Sequence, residues 1–183
     1  MNEITPNMPD YEAAYQNERL EVPEFFNFGF DVVDKWAEDR TKLALLSVDP
    51  SGENVRHHTF WDLKVLSDKC ANALQEMGIK KGDRVFIMLP RIPEWYVAML
   101  GLFKLGALPM PGTTLLTPKD IEYRIDQAEA VMAITDGENA SKVEEASGGC
   151  QTLKYLVIVG GDKRGWVSFN DRVSQASSVL EGV

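Results

Sequence analysis

The chain has 183 residues, 44% of them hydrophobic and 26% charged, the composition of a globular domain that can bury a core without a metal or disulfide staple. Its 19 Lys and Arg stand against 28 Asp and Glu, and the formal charge of −9 disfavours non-specific binding to nucleic acid or anionic lipid. Residues 1–10 lack the basic-then-apolar pattern of a signal peptide, and the longest apolar run, around residues 95–103, falls short of the ~18 residues a membrane span needs. The expectation is a soluble, cytoplasmic protein.

Residues 1–22 are polar and mixed and read as an N-terminal arm with a short helix near residues 11–19; residues 23–183 read as one unit. Phe26, Phe30, Val33 and Trp36 fall close to helical spacing, which predicts an amphipathic helix ending near Arg40. A short apolar strand at 43–48, the turn cluster Asp49-Pro50-Ser51-Gly52-Glu53 and a second strand at 54–59 predict a hairpin. His57 and His58 are adjacent in that second strand, so they point to opposite faces and do not share a metal without further ligands.

Thr59-Phe60-Trp61-Asp62 has the form of a capping box. The helix it opens runs to about Met77, with Leu63, Leu66, Cys70, Ala73, Leu74 and Met77 on one face and Gly78 as the stop. Residues 84–89 are apolar without alternation, as in a strand covered on both faces. Residues 93–105 form a helix that is apolar nearly all round and therefore deeply buried. A short strand at 107–110 follows. Thr117 then caps a helix with Pro118 at its first position, running to about Ala128. Next come a strand at 130–135, a weaker helix at 138–147 and a strand at 155–159. Residues 166–173 carry no clear pattern beyond a short strand entering a helix, and residues 176–183 read as a tail. This alternation predicts an α/β fold: a mostly parallel sheet with helices on both faces, plus the helical arm and the hairpin.

Ligands of such sheets collect beyond the carboxyl ends of the strands. Four loops qualify: residues 89–95, 111–114, 135–137 and 159–162. In the first, Arg91, Glu94 and Trp95 either bind an anion or a flat group, or play bland roles. In the bland version Glu94 complements the helix dipole, Arg91 pairs with it and Trp95 packs in the core. Thr113 and Thr114 either line a cleft or hydrogen-bond the backbone of a turn. Gly160-Gly161-Asp162-Lys163-Arg164-Gly165 lacks the spacing of a phosphate loop and reads as a surface turn. Asp136 stands alone at a strand end. Neither Cys70 nor Cys150 has metal-ligand spacing, and both are expected as free thiols. No GxSxG, HExxH or convincing Ser/His/Asp set is present.

Three stretches carry a resemblance. Thr59-Phe60-Trp61-Asp62-Leu63, with Ala71, Leu74, Gly78 and Lys81-Gly82-Asp83-Arg84-Val85, resembles the N-terminal signature of the adenylate-forming enzymes: acyl- and aryl-CoA synthetases, luciferases and peptide-synthetase adenylation domains. Leu89-Pro90-Arg91-Ile92-Pro93-Glu94-Trp95 with Gly101 and Lys104-Leu105-Gly106-Ala107, and Met110-Pro111-Gly112-Thr113-Thr114 with Ile121-Glu122-Tyr123-Arg124-Ile125, are most similar to the medium-chain acyl-CoA synthetase branch. The resemblance implies an enzyme that activates a carboxylic acid with Mg·ATP to an acyl-adenylate and passes the acyl group to CoA. Magnesium and basic groups there neutralise the phosphates while the carboxylate attacks.

The family's Gly/Ser/Thr-rich phosphate loop, later nucleotide and acyl motifs and catalytic lysine have no counterpart in these 183 residues. The resemblance therefore implies an N-terminal portion of such a ligase, inactive alone, with no catalytic residue of its own. ATP, Mg2+ and CoA are expected as cofactors of a full-length parent, none binding tightly to this chain. Its expected partners are the acid substrate, the remainder of the same polypeptide and a second copy meeting it through exposed apolar surface. The alternative is a stand-alone α/β module that binds a nucleotide, CoA or a partner chain without catalysis.

Overall fold

A computed structural model describes residues 10–17, 19, 21, 23–49 and 51–180. Most of the expected N-terminal arm, and the end of the expected tail at 181–183, lie outside the described residues. Within the arm, helix α1 covers Tyr11–Asn17 and buries nothing.

The helix expected between Phe26 and Arg40 is only partly realised. Gly29–Asp34 forms a π-helical turn. Val33 and Ala37 reach the core at 4% and 1% exposure, whereas Phe26 and Trp36 of the expected apolar stripe are 60% and 48% exposed. A Cβ on Gly29 would lie 2.6 Å from Cγ of Lys104, so the backbone of the turn rests closely on that lysine stem. Trp36 is held at the surface by Phe60, ring centroids 6.1 Å apart, and by the Lys42 ammonium 3.6 Å above its ring.

Strands β1 (Leu43–Val48) and β2 (Val55–Thr59) pair antiparallel as an isolated two-stranded ribbon, with a register shift between Leu43 and Leu45. β2 runs directly into α2 (Phe60–Glu76). The capping box at that junction is complete: Asp62 N donates to Thr59 Oγ1 at 3.1 Å and Thr59 N donates to Asp62 Oδ2 at 2.8 Å. Gly78 follows the helix with φ +88°, the left-handed residue that turns the chain back.

Four more strands join one parallel sheet with β3 (Arg84–Met88): β4 (Leu108–Pro111), β5 (Met132–Asp136), β6 (Tyr155–Val159) and the two-residue β7 (Val167–Ser168), in the order β4-β3-β5-β6-β7. The connecting helices are α3 (Pro93–Lys104), α4 (Pro118–Gln127), α5 (Ala140–Ser147) and α6 (Phe169–Gln175), the last following β7. Alternate residues of β3 enter different layers. Val85 and Ile87 pack with Leu63, Leu74 and Val97 of α2 and α3 and with Phe169 and Val173 of α6. Phe86 and Met88 pack with Ile121, Ile125 and Val143 of α4 and α5. A strand apolar on both faces cannot alternate in its sequence, and β3 does not.

Candidate functional site

A groove of about 1380 Å³ opens beyond the carboxyl ends of β3, β5 and β6. The hairpin forms one wall through Ser47, Asn54, Arg56 and His58, and α2 adds Val65, Leu66 and Lys69. The β3–α3 loop contributes Pro90, Arg91 and Ile92, and the start of α3 contributes Glu94 and Val97. Asp136, Gly137 and Glu138 enter from the end of β5, and Phe169, Asn170 and Val173 of α6 close the far side. Three of the four loops expected from the sequence therefore meet here.

The sequence candidates divide. Arg91 and Glu94 both line the groove, Arg91 exposed and Glu94 half-buried. No ion pair joins them among the described residues, so the expected Arg91–Glu94 pairing is corrected. Glu94 stands in the first turn of α3, behind Pro93, where a carboxylate suits the positive helix end. Trp95 does not line the groove: it packs on the apolar layer beneath, edge-on to Tyr96 at 5.0 Å between centroids. Thr113 and Thr114 lie outside the groove as well. Thr113 takes the turn role, its Oγ1 accepting from Leu115 N at 3.3 Å, and Thr114 O accepts from Lys142 Nζ at 2.9 Å. Both follow β4, the edge strand on the side of β3 away from β5 and β6, which is why they sit apart.

Much of the wall was not legible in the sequence. His58 Nε2 is buried at the groove wall without a hydrogen-bond partner among the described residues. Lys69 Nζ donates to Ser174 O at 2.9 Å and ties α2 to α6. The only sequence signal for α6 as a wall was the faint pattern at 166–173. Asp49, at the hairpin tip, has its carboxyl pulled down to about 2 by the Asn54 amide and then by the Ser51 hydroxyl, which donate at 2.5 and 2.7 Å. Asp136 is turned onto its own loop, accepting from Asn139 N at 3.0 Å and Asn139 Nδ2 at 2.8 Å. The loop from Gly160 to Gly165 is largely exposed, and Lys163 pairs with Glu144 at 2.9 Å.

The chemistry available is recognition. The groove's lining includes the cations Arg56, Lys69 and Arg91, the carboxylates Asp49, Glu94, Asp136 and Glu138, and the apolar residues Val65, Leu66, Ile92 and Val97. Among the described residues no group of His, Cys, Asp and Glu is placed to hold a metal ion. Cys70 and Cys150 are free and buried, and burial pushes the Cys70 thiol up to about 12, which keeps it protonated and inert.

The family model described as "AMP-binding enzyme" matches residues 32–180. The chain belongs to that family. The chain is 37% identical over 179 residues to the mouse (Mus musculus) acyl-coenzyme A synthetase ACSM3, mitochondrial, a match covering 93% of the chain and 31% of the relative. It is 34% identical to the rat (Rattus norvegicus) acyl-coenzyme A synthetase ACSM5, mitochondrial, over 94% of the chain and 32% of the relative. Among solved structures, a Brucella canis acyl-CoA synthetase superimposes with a TM-score of 0.84 at 26% identity, covering 94% of this chain and 33% of that one. The anthranilate CoA ligase AuaEII in complex with anthranoyl-AMP gives 0.77 at 26% identity, over 88% and 30%. The chain thus spans about a third of the length of these relatives, and its fold is that of their α/β unit.

Proposed function

We propose that the chain is the N-terminal α/β unit of an AMP-forming acyl-CoA synthetase whose longer parent converts a carboxylic acid and ATP to an acyl-adenylate and pyrophosphate, then transfers the acyl group to CoA. The observation that carries this is the family match over 32–180, joined to relatives that are named acyl-coenzyme A synthetases and are 37% identical across 93% of the chain. The open groove supports it. At about 1380 Å³ it exceeds the roughly 300–1,000 Å³ of a finished small-ligand pocket. A wall of polypeptide beyond these residues would close it to ligand size.

ATP, Mg2+ and CoA belong to that parent. The groove's lining sets Arg56, Lys69 and Arg91 among Asp49, Glu94, Asp136 and Glu138, and the expectation that this chain alone binds none of the three tightly is tested by titration. No catalytic step is assigned to a residue of this chain. Residues 1–22 as an arm, residues 23–183 as a single unit and a cytoplasmic location complete the proposal; two free buried thiols support a reducing compartment, and fractionation of the parent tests it.

The test is a panel of acids of increasing chain length given to the parent with Mg·ATP. Pyrophosphate release that depends on the acid, followed by thioester formation once CoA is added, is the expected result. Titration of the 183-residue chain alone with ATP and with CoA should give no heat of tight binding; micromolar binding of either would favour a stand-alone module instead.

A further inference from the structure

Four charged side chains meet beneath the N-terminal segment. Lys104 Nζ lies 2.7 Å from Asp34 Oδ1 and 2.6 Å from Asp68 Oδ1, with the lysine side chain 0% and the Asp68 side chain 2% exposed. Lys64 Nζ meets the remaining oxygens, 2.6 Å from Asp68 Oδ2 and 3.6 Å from Asp34 Oδ2. Two ammonium groups and two carboxylates cancel, and every carboxylate oxygen faces a cation.

The four come from three separate stretches: Asp34 ends the π-helical turn, Lys64 and Asp68 belong to α2, and Lys104 ends α3. The seating around them is tight. Gly29 rests on the Lys104 stem, the Phe30 ring lies 5.4 Å from its Nζ, and Asn27 Nδ2 donates to Phe103 O at 2.7 Å. Beyond Asp34 the chain climbs to Lys42, whose carbonyl accepts from Phe60 N at 3.0 Å, and enters β1. Among the described residues the hairpin has no strand partner in the main sheet; both its strands pack on α2, and residues 35–42 join its first strand to the π-helical turn, which itself packs on α2 and α3. That same hairpin is the groove's outer wall.

Buried ion clusters of this kind contribute little net stability, because desolvation offsets much of the attraction. Their geometry is far more selective than an apolar contact. Aliphatic surfaces accept a range of crossing angles, whereas four charges that each satisfy two others accept one arrangement. We propose that the Asp34–Lys64–Asp68–Lys104 cluster is a conformational latch: it fixes how the π-helical turn seats on α2 and α3 and thereby sets the position of the hairpin wall.

The deciding experiment is hydrogen exchange by mass spectrometry on the 183-residue chain and on the double variant Asp68→Leu/Lys104→Met, which leaves the neutral Asp34–Lys64 pair. A latch predicts a cooperative melt close to the parent's and amide exchange about tenfold faster in residues 29–48, with β3 and β5 unchanged. Unchanged exchange in residues 29–48 would overturn it, as would an equal rise in every segment, the mark of a general stabiliser. If the double variant does not fold, Asp34→Asn decides on the same terms, because Asp34 is the outermost carboxylate at 16% exposure. None of these outcomes bears on whether the parent is a ligase.

Discussion

Thr59 and Asp62 show how much one short polar pair organises: the box they form closes β2 and opens α2 at a single residue. Thr59→Ala removes an acceptor from the first turn and should lower stability by about 1 kcal/mol in urea unfolding. Asp49 acts at the hairpin tip. Its folded carboxyl titrates near 2 against an ordinary 3.8, so its contribution is complete above about pH 4 and is lost as pH falls towards 2. In urea unfolding followed against pH, parent and Asp49→Asn should differ by a constant amount near neutrality and converge between pH 4 and 2. A difference that does not change between neutrality and pH 2 would exclude this role. Cys70 makes the third case. Its buried thiol, pushed up to about 12, should resist a thiol reagent at pH 8 in the folded chain and react once the chain is unfolded in denaturant.

At the scale of elements, the helices with caps and the strands with unbroken apolar runs were legible, and their ends moved by only a residue or two. What the sequence hid has physical causes. Within the π-helical turn Gly29 meets the Lys104 stem, a contact between residues 75 positions apart that no local period encodes. Lys104 itself reads as a helix-end cation in an apolar run, and its burial becomes sensible only when Asp34 and Asp68 are brought beside it. β7 has two residues and α6 seven, too short to produce a periodic signal, yet α6 forms a groove wall. Of the candidate residues, Arg91 and Glu94 line the groove because they follow a strand's carboxyl end, where topology places ligand clefts. His58 and Arg56 were missed as groove residues because an isolated hairpin gives no hint of which face it turns inward.

Over the whole molecule, apolar surface is left uncovered where the hairpin stands out. Leu43, Leu46 and Val48 are each 51% exposed and Val55 is 47% exposed. Such a ribbon, with free edges and an aliphatic outer face, should drive self-association of the 183-residue chain. Sedimentation over a wide concentration range should show dimers or larger species, and Leu46→Lys/Val48→Lys should shift them towards monomer. Concentration-independent monomer in the parent sequence would refute that expectation. The chain spans 31% of the length of the mouse acyl-coenzyme A synthetase it matches. The central claim is tested most directly by pyrophosphate release from the longer parent with ATP and a graded series of carboxylic acids. Release that appears only with an acid present, and thioester once CoA is added, is the predicted result; no acid-dependent release with any member of the series would contradict the assignment.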